Sequence, residues 1–222
     1  MSSRPTQWIS LMLCMLALAF GALVYGDLPE QVATHFNLAG EPDDWSDRLT
    51  AVVMMPGAML LTWLLLWGLP KVSPTGWRVE PFMPIWNRIQ LALLAFLLFI
   101  HVAVLGHALG WWGADMGRPV LVGVGLLLAV LGNYLGKTTR NFFLGIRTPW
   151  TLASDEVWRR THRLGGWTMV AAGVALVVMG LFGASEMALL VIVGAAALIP
   201  VVYSFFAYRA LEGFNPPPAD EG

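Results

Sequence analysis

Apolar residues fall into six runs, at 8–25, 50–69, 89–111, 119–135, 167–182 and 187–208, separated by shorter polar stretches. Each run approaches the roughly 20 residues that cross a hydrocarbon core about 30 Å thick at 1.5 Å per helical residue. The pattern predicts an all-α membrane protein of six transmembrane helices arranged in three hairpins. Arg4 ahead of the first run imitates a signal peptide, but no small-residue cleavage site follows it. The run therefore reads as a retained anchor. The polar stretches divide the chain into a first hairpin (1–69) with an acidic loop at 27–49, a connector and third span (70–118), a region 119–208, and a tail (209–222). That tail ends FNPPPADEG, too polar and Pro-rich to pack, and is expected to be disordered.

Composition agrees with a membrane location, since 57% of residues are hydrophobic and 12% are charged, against about 25% charged in a soluble domain. Net charge is −1, but the sorting of charge along the chain carries more information than its sum. Lys and Arg resist translocation. With both termini inside, the inner side holds Arg4, Lys71, Arg78, Arg88, Lys137, Arg140, Arg147, Arg159, Arg160, Arg163 and Arg209, against Arg48 and Arg118 outside. That bias places both termini in the cytoplasm. The outer side collects Asp27, Glu30, Glu41, Asp43, Asp44, Asp47, Asp115 and Glu186. Cys14, the single cysteine, excludes an intrachain disulfide.

Two connecting segments carry the unusual chemistry. In the outer loop, Asp27 and Pro29 predict the start of a short helix, the stretch 37–41 supplies turn residues, and Ser46 or Asp47 can cap the second span. Phe36 and Trp45 suit the headgroup boundary. His35, Asn37, Asp43 and Trp45 are the candidate residues of an external sensing surface. The inner segment, 132–167, turns from extended to helical: Pro149 keeps Thr148 out of the helical region, and Ser154 followed by Asp155 and Glu156 caps a helix expected to run over 155–164 before Gly165 and Gly166. Trp158 and His162, four apart, share one face. Such a helix could lie at the bilayer surface with Trp158 inserted and Arg159, Arg160 and Arg163 on lipid phosphates. The pairs Gly106/Gly110 and Gly132/Gly136 have the spacing of close helix approach, and Pro200 is expected to kink the last span.

The string NFFLGIRTPWTLASDEVW, beginning at Asn141, followed by THRLGG from Thr161, resembles the signature of the SdpI family of bacterial membrane proteins. The outer LPEQVATHFNLAGEPDDW resembles the short domain of unknown function that accompanies that signature. The resemblance implies an SdpI-like region at 119–208 and a multi-pass protein of the bacterial cytoplasmic (inner) membrane. It further implies immunity to a secreted peptide toxin outside and retention of a transcriptional repressor inside. No catalytic residue comes with the family.

The residues themselves argue against an enzyme. No HExxH, paired-cysteine or P-loop pattern occurs, so no enzyme, metal site or cofactor is expected. His101 and His107 are six apart, about 240° around a helix, and do not converge; His101 reads as a neutral imidazole bonded to a neighbouring helix. No charged residue lies well inside a span, so the alternative function, a transporter or channel, is confined to a neutral small solute or lipid. The expected partners are membrane lipids and, as the resemblance implies, a peptide toxin outside and a transcriptional repressor inside, with no direct nucleic-acid contact. Arg147, Trp150, Glu156, Trp158 and His162, with Asn141, are expected to pack on one another or on the loop 71–87 as a structured cytoplasmic cap, because lipid anchoring alone does not require RTPWTL spacing.

Overall fold

A computed structural model describes residues 3–37, 39–77, 79–111, 116–183 and 186–213. Arg78, Asp115, the Glu186 side chain and the tail 214–222, on which parts of the charge count and the expected disorder rest, lie outside the described residues or side chains. The long helices are α1 (Arg4–Val24), α2 (Arg48–Gly68), α3 (Met83–Ala108), α4 (Gly117–Leu135), α6 (Asp155–Phe182) and α7 (Glu186–Leu211), with a short α5 (Pro149–Ala153) between α4 and α6. Among the described residues, six helices are thus long and apolar enough to cross a membrane. Their large side chains face outward: Leu23, Phe182 and Leu198 are among many exposed hydrophobics. In lipid this is the expected distribution, because apolar surface gains nothing by leaving it and helices are held by small residues and polar bonds instead.

Three helices, α1 to α3, form one bundle. Gln7 accepts from the Trp63 indole at 2.6 Å at one end, and Gly21 lies against Val52 at the other, so α1 and α2 run antiparallel. Gln90 donates to Ser10 at 2.8 Å, and His101 Nε2 lies 3.1 Å from the Ala17 carbonyl, so α3 runs parallel to α1. That carbonyl can only accept, which makes His101 a donor bonded to a neighbouring helix, as its sequence context predicts.

The second bundle is α4, α6 and α7. Its closest contact is built on glycine: Gly132 opposes Gly166, Gly125 opposes Gly173, and Gly180 lies against the Arg118 carbonyl. Seven-residue steps on two antiparallel helices keep that register, so one glycine face meets the other along the whole crossing. A Cβ at Gly173 would come within 2.5 Å of the Gly125 carbonyl oxygen. Gly110, by contrast, occupies a turn at φ +74° with open space around its Cα, so the 106/110 spacing marks a helix end and not a packing seam. α7 runs on through Pro200, and the helix continues to Leu211, past the expected start of the tail.

The outer loop departs from the expected helix. Asp27 closes a short 3-10 turn, and two antiparallel strands follow, β1 (Gln31–Phe36) and β2 (Pro42–Asp47). Val32 is the reason: it is fully buried with Leu28 against Ala51, Val52 and Leu105, which holds β1 onto the helix ends while β2 stays largely exposed. The turn at 37–41 forms as expected, with Asn37 N–H donating to the Glu41 carbonyl at 2.9 Å, and Asp47 caps α2 by accepting from the N–H groups of Leu49 and Thr50.

Candidate functional site

The connector 136–154 folds over one end of the second bundle as a compact cap, and buried polar side chains satisfy its backbone. Asn141 is fully buried and makes four bonds. Its amide donates to the carbonyls of Thr139 and Leu144, each at 2.9 Å, and its carbonyl accepts from the N–H groups of Phe143 (2.8 Å) and Leu144 (2.7 Å). That uses both amide donors and both carbonyl lone pairs. Gly145 follows at φ +120°, and a Cβ there would collide with the His162 ring nitrogen.

His162 and Trp158 form the post on which this loop rests. Their rings stack with centroids 3.9 Å apart, 16° from parallel, and both are buried. The Trp158 indole donates to the Thr138 carbonyl at 3.0 Å, and His162 Nε2 accepts the Ile146 N–H at 2.8 Å. His162 Nδ1 lies 2.8 Å from the Trp158 carbonyl, which can only accept, so the imidazole is neutral with its proton on Nδ1. Trp158 is therefore a core residue and is not inserted in lipid. The expected surface helix at 155–164 does not exist as a separate element either, because Gly165 and Gly166 are interior to α6, one against Ile146 and the other against Gly132. Two glycines look like a helix stop in sequence, but close packing favours them inside the helix here.

The extended-to-helical switch follows the expected chemistry. Thr148 is extended at ψ 161° before Pro149 and caps α5 in a reciprocal box with Thr151, and the Thr151 hydroxyl also reaches the Ile146 carbonyl at 2.7 Å. Ser154 caps α6 and bonds Glu212 at 2.6 Å, while Thr148 bonds Ser204 at 3.0 Å, fastening the cap to α7. Trp150 packs edge-on against Phe205 of α7 at 5.2 Å, away from Trp158. Arg147 stands over the Phe142 ring at 4.5 Å, and Glu156 pairs with Arg159 and Arg160 on its own helix.

The cap also leans on the first bundle. Phe143 meets Trp86 at 6.2 Å and Phe142 meets Trp77 at 6.4 Å, both edge-to-face, and Phe143 and Leu144 complete a cluster with Leu66, Val79, Phe82 and Met83. Arg140 binds the Leu152 carbonyl at 2.7 Å and Asp155 at 2.8 Å while lying over Trp77. Sequence reasoning missed Gly145, Thr138, Thr151, Ser204, Phe142 and Phe143. The Thr148-to-Thr151 spacing beside Pro149 was a readable capping signal, and the Trp77 and Trp86 contacts fall in the loop 71–87 on which a cap was expected, made by Phe142 and Phe143 and not by the six candidates.

At the acidic end the ribbon holds the outer candidates. His35 Nδ1 lies 2.5 Å from the Asp43 carboxylate, Asn37 accepts the Glu41 N–H at 3.0 Å, and Trp45 is half exposed. Phe36 packs edge-on against His107 at 5.3 Å, which ties the ribbon to α3.

Residues 137–204, covering the cap, α6 and most of α7, match the SdpI/YfhL protein family, and residues 12–60 match a domain of unknown function, DUF1648. The cap and the helices behind it carry the SdpI/YfhL family region. It is 25% identical over 207 residues to the Immunity protein SdpI of Bacillus subtilis (strain 168), covering 92% of this chain and 97% of that relative. No solved structure matches it significantly. The two matched regions correspond to different bundles: the domain of unknown function contains the ribbon, and the SdpI/YfhL region contains the cap.

Proposed function

We propose that this chain is an integral immunity and signalling protein of the bacterial inner membrane, built as three hairpins with both termini and the cap in the cytoplasm and the acidic ribbon outside. In this reading a secreted peptide toxin meets the ribbon and the cap changes its exposure to a transcriptional repressor. The observation that carries it is the straddling position of the cap, whose Phe142 and Phe143 rest on Trp77 and Trp86 of the bundle that bears the ribbon. Coupling requires two arrangements whose balance the ligand shifts, and an interface between two bundles supplies a place for them. The SdpI/YfhL match and the likeness to an immunity protein support the immunity role, and the acidic residues of β2 suit a cationic peptide.

The test is deletion of the gene followed by challenge with candidate secreted peptides, scoring survival and transcription of neighbouring genes. Loss of survival, restored by the intact chain but not by one carrying Trp86→Ala, is the expected result. Unchanged survival together with unchanged transcription overturns the proposal.

A further inference from the structure

Among the basic residues of α6, Glu156 separates two classes. Its carboxylate accepts from Arg160 Nε at 2.6 Å and also pairs with Arg159, so these two cations are compensated. Arg163, one turn further on, and Lys137, just past the end of α4, are exposed and have no carboxylate partner among the described residues. Lys137 Nζ stands 5.2 Å from the Tyr134 ring centroid. Both cations line a groove of about 330 Å³ over the crossing of α4 and α6.

The groove is open because its floor is glycine. A Cβ at Gly166 would come within 2.6 Å of the Gly132 carbonyl oxygen, so no side chain occupies the crossing. Trp167 and Val170 continue the groove along α6 into the apolar run, and Trp167 is 71% exposed, as suits an indole at a headgroup boundary. At Gly136 and Arg163 the groove meets a more polar cavity of about 440 Å³ bordered by Glu156, Arg159, Arg160 and Tyr203.

We propose that this groove binds one anionic phospholipid, its phosphate held by Lys137 and Arg163 and an acyl chain lying across Gly132 and Gly166 beside Trp167 and Val170. Arg163 supplies a planar fork for phosphate oxygens, and Lys137 supplies a point charge. Topology alone would account for the positive charge but not for an apolar slot beginning at the two uncompensated cations. A soluble phosphate would use the charged rim and leave the slot empty. The reading keeps Arg163 among the three arginines expected at lipid and replaces Arg159 and Arg160 with Lys137.

The test is native mass spectrometry of the full chain released from nanodiscs holding equal amounts of phosphatidylglycerol and phosphatidylethanolamine. One phosphatidylglycerol should be retained preferentially. Lys137→Gln and Arg163→Gln should each reduce that preference roughly fivefold, the size expected of one basic residue at an anionic surface, while Arg159→Gln leaves it unchanged. Equal retention of the two lipids by the unaltered chain overturns the site, whatever the variants do. An equal loss in Arg159→Gln means diffuse surface charge and also overturns it. Displacement of the lipid by glycerol phosphate at matching concentration would assign the rim to a soluble phosphate and overturn the lipid.

Discussion

The Nε2 atom of His162 accepts the backbone N–H of Ile146 at 2.8 Å, joining positions 16 residues apart in the chain. The bond docks an irregular loop onto a helix: Trp158 fills the space beneath the ring, and Gly145 lets the backbone pass beside it. The basic end is thereby held as one piece, and changes made at this bond have separable outcomes.

Replacing His162 with Phe keeps an aromatic ring on Trp158 but leaves the Ile146 N–H without its acceptor. We expect a loss of about 1–3 kcal/mol in the stability of the cap. Faster tryptic cleavage after Arg147, with the helices intact by circular dichroism, is the measurement. Gly145→Ala should do more damage, since it adds a collision with the ring to a backbone conformation that disfavours a side chain.

Asn141→Ala removes four hydrogen bonds from a fully buried position. The amide hydrogens of Phe143 and Leu144 should lose protection in hydrogen exchange. The apparent destabilisation should be about 2 kcal/mol or more, because buried N–H and C=O groups are left unpaired. Protection unchanged at these two amides would show that the loop is held by its aromatic contacts alone.

The glycine seam can be tested against a glycine that packs on nothing. Gly173→Ala places a methyl 2.5 Å from a backbone carbonyl oxygen and should force α4 and α6 apart, lowering the unfolding temperature in detergent. Gly194→Ala meets no atom within 4 Å and should be neutral or stabilising by up to about 1 kcal/mol, the helix-propensity gain of alanine. Equal effects at the two positions would contradict tight packing at the seam.

Asp47 gives a pH dependence whose sign is determined. The Thr50 hydroxyl, then the Thr50 and Leu49 N–H groups, hold its carboxyl below the usual range. The unfolded chain therefore binds this proton first as pH falls. The stability contributed by the cap is fully present above the ordinary carboxylate pKa and is lost as pH drops through the lower folded value. Asp47→Asn should flatten the acid limb of the stability profile, and an unchanged limb would show that the capping carboxylate does not contribute to it.

The parts of this architecture that depend on local rules were legible. Span lengths, the Asp47 and Ser154 caps, the extended Thr148 and the shared face of Trp158 and His162 follow from hydropathy, capping and helical spacing. The failures have one origin. A stop at Gly165–Gly166 and a lipid anchor at Trp158 are surface roles for a free helix, whereas Gly132 and Ile146 pack against the two glycines and Thr138 and His162 hold the indole. The ribbon was missed for the same reason: Val32 is a strand residue because Ala51, Val52 and Leu105 bury it.

The amino-acid sequence by itself determined the membrane class, the six spans and the family signature, since these need only composition, run length and a fixed string of rare residues. Tertiary structure decided which helices meet, that the cap bears on both bundles through Phe142 and Phe143, and that Arg163 and Lys137 have no carboxylate partner among the described residues while Arg159 and Arg160 do. The physical reason is that lipid removes the hydrophobic force between helices. Partner choice then falls to small residues and polar groups whose contacts are made far along the chain.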